Sequence, residues 1–107
     1  MSDRQRLPNK RLCELIEFSF DGFEYVAAIG RFPNGEIAEV FLNSEKVGTQ
    51  VATSARDAAI VASIALQYGA PAETIRRALS QDSHGRVLGP LGAALDLAIE
   101  QPRTVRF

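Results

Sequence analysis

Residues 35–69, GEIAEVFLNSEKVGTQVATSARDAAIVASIALQYG, decide how this chain folds. Over 36–43 the residues Ile37, Glu39 and Phe41 alternate with Ala38, Val40 and Leu42, the period-two pattern of a half-buried strand. A short Lys-Gly connection follows, and then a helix. The helix is expected to begin near Thr53-Ser54, where Ser54 and Asp57 approximate a capping box, and to end at Gly69, a natural left-handed cap. Around this helix Ala58, Val61, Ala62, Ile64, Ala65, Leu66 and Tyr68 cover most of the circumference. They leave Arg56, Ser63 and Gln67 as a narrow polar stripe. A helix this apolar must be covered on several sides, and small residues at 55, 58, 59, 62 and 65 let neighbours approach closely.

Working back from this stretch, residues 12–20 form a first strand whose apolar side is Ile16, Phe18 and Phe20. Asp21-Gly22 is a strong signal for a two-residue hairpin, because a type I′ turn needs positive φ at both central positions. A second strand follows over 23–31, with Tyr25, Ala27 and Ile29 alternating. Pro33-Asn34-Gly35 turns the chain into the third strand, with Pro presetting φ and Asn-Gly supplying left-handed positions. Forward of Gly69, Pro71 starts a second helix over 72–79, facing Ile75, Ala78 and Leu79 inward. Gly89-Pro90 opens a third helix, whose apolar face is Leu91, Ala94, Leu95, Ala98 and Ile99, and Pro102 ends it.

The expected fold is therefore α+β: a three-stranded antiparallel meander followed by two to three helices packed on one face. Its parts are a flexible basic arm over 1–11, a single domain over 12–101 and a tail over 102–107. Phe18, Phe20 and Phe41 are expected on one side of the strands and Leu15, Val40 and Leu42 on the other, so both sheet faces carry apolar residues. Something is therefore expected to cover the second sheet face, and a homodimer would do so.

Composition sets the outer limits. The 107 residues are 46% apolar and 23% charged, which describes one ordinary globular domain. A net charge of −1 gives no general attraction to nucleic acid or to an anionic membrane. Cys13 is the only cysteine, and a lone thiol fits a reducing cytoplasm. The polar start MSDRQRLPNKR lacks the apolar core of a signal peptide, and no apolar run is long enough to span a bilayer. The expectation is a cytoplasmic protein that does not engage membranes.

Chemistry is sparsely marked. The strand-to-helix connection 43–49 places Lys46, Gly48 and Thr49 beside a helix N-terminus, with Arg56 further on. Free N–H groups and a lysine could seat a phosphate or carboxylate there, as an anion or nucleotide site. The GxxxxGK[ST] and GxGxxG spacings are absent, so the alternative is a structural turn. Asp57 falls within the apolar face, where it reads as a first-turn partner of the helix dipole or as a buried acceptor. His84 lies in a loop with Asp82 and Ser83, and adjacency in sequence does not make a triad. Cys13 has no histidine beside it and reads as a small strand residue. No catalytic residues, metal ligands or cofactors are assigned from the sequence.

EVFLNSEKVGT, followed by an Ala-rich helix ending Ser-Ile-Ala-Leu-Gln-Tyr-Gly and by a Pro-initiated second helix, resembles the TSCPD domain. That domain occurs at the C-terminus of vitamin B12-dependent ribonucleotide reductases and as short free-standing bacterial proteins. The resemblance covers roughly residues 7–97. It departs from the reductase-attached form in having no cysteine after Leu79, and the reductase catalytic barrel is missing. The resemblance implies a non-catalytic accessory or interaction module that self-associates or binds a ribonucleotide reductase-like protein. The alternative is a small nucleotide or nucleic-acid binder that uses Lys46, Arg56, the basic arm and the Arg76-Arg77 pair. The near-neutral charge and the lack of stacking aromatics on an exposed strand count against nucleic acid.

Overall fold

The computed structural model describes residues 3–46 and 48–100. The expected 102–107 tail, the first two residues of the arm and Val47 of the connection lie outside them. The order of elements is β1 (Glu14–Phe20), β2 (Phe23–Arg31), β3 (Ile37–Ser44), α1 (Gln50–Gln67), α2 (Ala72–Ala78) and α3 (Pro90–Glu100). The strands form one antiparallel sheet in the order β1-β2-β3, so the meander is as the turn chemistry dictates. Asp21 at φ 53° and Gly22 at φ 82° make the I′ hairpin, directly joining the Phe20–Phe23 pair. In the second turn only Gly35 is left-handed. Asn34 acts instead through its side chain, whose Oδ1 accepts from the Glu36 N–H.

The core-facing surface of the sheet carries Ile16 and Phe18 from β1, Tyr25, Ala27 and Ile29 from β2, and Val40 and Leu42 from β3. The Phe18 and Tyr25 rings stack with centroids 5.5 Å apart. Onto this surface close Ala55, Ala59, Ala62 and Leu66 of α1 and Leu91, Ala94, Leu95 and Ala98 of α3. The expected grouping of β3 is reversed: Val40 and Leu42 point inward with Phe18, while Phe41 stands exposed on the far face with Leu15. The register is the reason, because it sets Leu42 in line with Ala27 and Ile16, and Phe41 in line with Ala28 and Leu15.

α1 departs from its sequence reading at both its start and its orientation. It begins at Gln50, several residues before Ser54, because Thr49 is the N-cap and accepts from the Ala52 N–H. Asp57 consequently lies in the second turn and is exposed, so neither the first-turn role nor burial applies to it. The expected wet stripe is turned inward: Ser63 and Gln67 are buried, while Val61, Ile64 and Tyr68 are exposed. The cause is the free edge of β3. Ser63 Oγ donates to the Val40 carbonyl at 2.8 Å and accepts from the Val40 N–H at 2.9 Å. Gln67 Nε2 donates to the Ala38 carbonyl at 3.2 Å. Four helical residues advance about 6 Å and two strand residues about 6.7 Å, so residues 63 and 67 match alternate edge groups of the antiparallel strand. An edge that would otherwise template aggregation is closed by two helix side chains.

The helix then stops at a Schellman motif. Gly69 takes φ 113°, its N–H bonds to the Leu66 carbonyl, and the Ala70 N–H reaches the Ala65 carbonyl. Arg31 fastens the same end of the molecule, across the groove that it shares with Gly69 and Ala70. Its guanidinium donates to Glu14 at 2.8 Å, to the Gly35 carbonyl at 3.0 Å and to the Ala98 carbonyl at 2.9 Å. It thereby ties β1, the second turn and the carbonyl end of α3 together.

Candidate functional site

The strand-to-helix connection forms by local hydrogen bonding. Ser44 Oγ accepts from the Lys46 N–H, Gly48 takes φ 83°, and Thr49 Oγ1 donates to the Lys46 carbonyl. Lys46, Gly48 and Thr49 therefore do come together at the α1 N-terminus, with Lys46 exposed. Thr49 spends its hydroxyl on both the Lys46 carbonyl and the Ala52 N–H, which makes it a cap. Arg56 is not part of this cluster. It is exposed, about 10 Å further along the helix by the rise per residue, and shares no hydrogen bond with the other three.

Several basic groups of the sequence are committed to the protein itself. Arg4 Nε donates to Gln67 Oε1 at 2.8 Å, beside the bond from the Gln5 N–H to the Gln67 carbonyl. Arg11 makes a two-pronged pair with Glu39, at 2.7 and 2.8 Å. That hydrogen bond holds the Arg11 guanidinium above its ordinary pKa. Arg76 donates to Asp96 at 2.6 Å and to the Gly85 carbonyl. The segment before β1 is thus anchored at the end of α1 and on the far face of the sheet.

Glu39 gave no sequence signal, since a glutamate at an alternating strand position reads as solvent-facing. Its side chain is only 4% exposed. Its Cγ would lie 2.7 Å from a Cβ built on Gly30, the residue paired with it across β2 and β3. Gly30 is therefore the floor on which the Glu39 side chain lies, and Arg11 is its lid.

The other flagged residues carry no assembled chemistry. His84 is exposed, and its backbone N–H bonds to Asp82 Oδ1 in a loop turn. Cys13 is exposed just before β1. Among the described residues no group of three His, Cys, Asp or Glu side chains could hold a metal ion, and no helix is long and apolar enough to cross a membrane. A broad groove of about 1120 Å³ runs between the arm, the second turn and the α1–α2 corner. Arg6 and Arg31 face Glu36, Glu73 and Glu100 around it, so it favours neither sign of ligand.

Apolar side chains also stand exposed. On α1, Ile60, Val61, Ile64 and Tyr68 form one exposed stripe at helical spacing, with Val61 66% exposed. On the far face of the sheet, Leu15 is 68% exposed and Phe41 38%.

Comparison with known proteins places these features in context. The chain is 34% identical over 89 residues to the vitamin B12-dependent ribonucleotide reductase of Rhodopirellula baltica, covering 83% of this chain and 8% of that protein. It is 32% identical over 71 residues to the enzyme of the same name from Agrobacterium fabrum, covering 66% of this chain and 6% of that one. For Streptantibioticus cattleyicolor the figures are 35% over 71 residues, covering 66% and 12%. The chain is thus a partial homologue of these reductases and spans only a small stretch of each. No family model matches it, and no solved structure matches it significantly.

Proposed function

We propose that this protein is a non-catalytic interaction module of the TSCPD type, working through its exposed apolar stripe on α1 and the open sheet face. Its partner is a second copy of the chain or a ribonucleotide reductase-like protein, in the cytoplasm. The observation that carries this reading is the placement of Val61, Ile64 and Tyr68. The helix satisfies the β3 edge with Ser63 and Gln67 and leaves its larger apolar side chains in water. A contiguous exposed apolar patch on a small domain marks an interaction surface. The similarity to a short stretch of much larger reductases supports a module over a whole enzyme.

The alternative, nucleotide or nucleic-acid binding through Lys46 and the arginine clusters, is weakened because Arg4, Arg11 and Arg76 already bond within the chain.

Light scattering across a concentration series tests the reading, together with capture of partners on the immobilised chain. The expected result is a dimer, or capture of a reductase-like protein, that Val61→Glu combined with Ile64→Glu abolishes while the fold is retained. A monomer at every concentration that also captures no reductase-like protein would overturn it.

A further inference from the structure

A second pocket, of about 480 Å³, opens at the opposite end of the domain from the Arg31 cluster. Phe20 and Phe23 of the first hairpin wall it on one side, Leu79 and Leu88 on the other, and the first turns of α1 and α3 close its base. Its volume is within the range of small-molecule sites, about 300–1,000 Å³.

Tyr25 lines this pocket and is 3% exposed. Its ring stacks on Phe18, but its hydroxyl bonds to no described residue. Every fully buried side-chain N or O among the described residues does have a partner. The Tyr25 hydroxyl is therefore the accessible atom of an otherwise buried side chain, and the pocket is what reaches it. Burial raises the phenol pKa, and the nearby charge of Asp21 raises it further. The hydroxyl therefore keeps its proton and offers a donor.

Asp21, also lining the pocket, is exposed at the hairpin tip and makes no hydrogen bond to a described residue, so it offers an acceptor. Two helix N-termini supply about +0.5 of an elementary charge each, and the Asp21 carboxylate offsets them. The pocket is close to neutral, apolar and aromatic-walled, with one donor and one acceptor.

We propose that this pocket binds an uncharged planar heteroaromatic ring bearing a lactam edge, its carbonyl accepting from the Tyr25 hydroxyl and its N–H donating to Asp21. The phenylalanine walls take the ring faces, and the Tyr25 hydroxyl, which no described residue pairs, gains an acceptor. The proposal rests on the pocket lining and not on the exposure of the apolar stripe on α1.

Amide NMR titrations of the labelled full chain with 2-quinolone, quinoline and 2-naphthoate test it. The expected result is saturable shifts at Val51, Ala55, Leu91 and Gly92 with 2-quinolone. Quinoline, lacking the lactam, should bind about fivefold or more weakly, as loss of a hydrogen bond implies. Tyr25→Phe, nearly isosteric and expected to fold, should weaken 2-quinolone by a similar factor. Asp21→Asn serves as a second variant, with the same expected direction. No saturable shift, tighter binding of the naphthoate anion, or equal 2-quinolone affinity in wild type and Tyr25→Phe would each overturn the proposal.

Discussion

Ser63 hydrogen-bonds both polar backbone groups of Val40, donating to its carbonyl and accepting from its N–H across a buried helix–strand contact. One hydroxyl thereby completes a strand edge that has no neighbouring strand. Ser63→Ala would leave both Val40 groups unpaired in a site with little room for water. We expect a loss of about 2–3 kcal/mol, read as a lower urea midpoint. Hydrogen exchange at the Val40 amide should accelerate more than at its neighbours. An unchanged midpoint would show that the edge is closed by the alanines of α1 rather than by the hydroxyl.

This contact also shows where a sequence stops being readable. The strands, the I′ turn, the Gly69 cap and the Pro-led third helix rest on local chemistry and were legible from a few neighbouring residues each. The orientation of α1 was not. Ser63 and Gln67 look like a solvent stripe as long as water is assumed to be the only partner for polar groups. The true partner is the edge of a strand some twenty residues earlier, and no helical period encodes that. The start of α1 was misjudged for a related reason: Ser54-Asp57 imitates a capping box, while Thr49 wins because Gly48 lets the chain turn directly into the helix. Of the candidate site, the sequence located Lys46, Gly48 and Thr49 together but added Arg56, which the helix carries away. Tyr25 was legible as a strand residue only.

Gly30 and Glu39 form a second nonlocal device. A Cβ at position 30 would displace a glutamate side chain that Arg11 holds from above. Gly30→Ala is expected to destabilise by about 1–3 kcal/mol, as overpacking does. Arg11→Met should cost a similar amount by stranding the Glu39 carboxylate. The two should be less than additive in combination, since each removes the same arrangement. Denaturant melts of the two single variants and the double variant measure this. Full additivity would mean that Glu39 relaxes independently of Arg11.

Thr49 tests whether the connection is a cap or an anion site. As a cap, Thr49→Ala should lower stability by about 1 kcal/mol, and Thr49→Asp should restore most of it because a carboxylate also accepts from the Ala52 N–H. An anion site predicts otherwise: inorganic phosphate would stabilise the wild type, and Thr49→Asp would abolish that effect. Thermal melts with and without phosphate separate the two, with the first pattern expected.

The stripe on α1 gives a prediction about stability as distinct from association. Val61 is mostly solvent-exposed in the single chain, so Val61→Glu should alter monomer stability by less than about 0.5 kcal/mol. Melts at high dilution and at high concentration should therefore diverge for the wild type and coincide for Val61→Glu, because only an associating chain gains stability by mass action. Coincidence in the wild type as well would argue against self-association.

Tyr25 fixes the sign of a pH effect. Its folded pKa is raised by burial and by Asp21, whereas the unfolded value is about 10. Below about pH 10 both states hold the proton and this residue adds no slope. As the pH rises beyond that, the unfolded chain releases its proton first. The stability that comes from keeping Tyr25 neutral is then lost progressively until the folded pKa is passed. Urea midpoints from about pH 8 to pH 11 should therefore fall more steeply for the wild type than for Tyr25→Phe, whose other titrating groups are the same. Parallel curves would mean that the phenol ionises as freely in the fold as outside it, and the pocket mouth would then be a fully aqueous site.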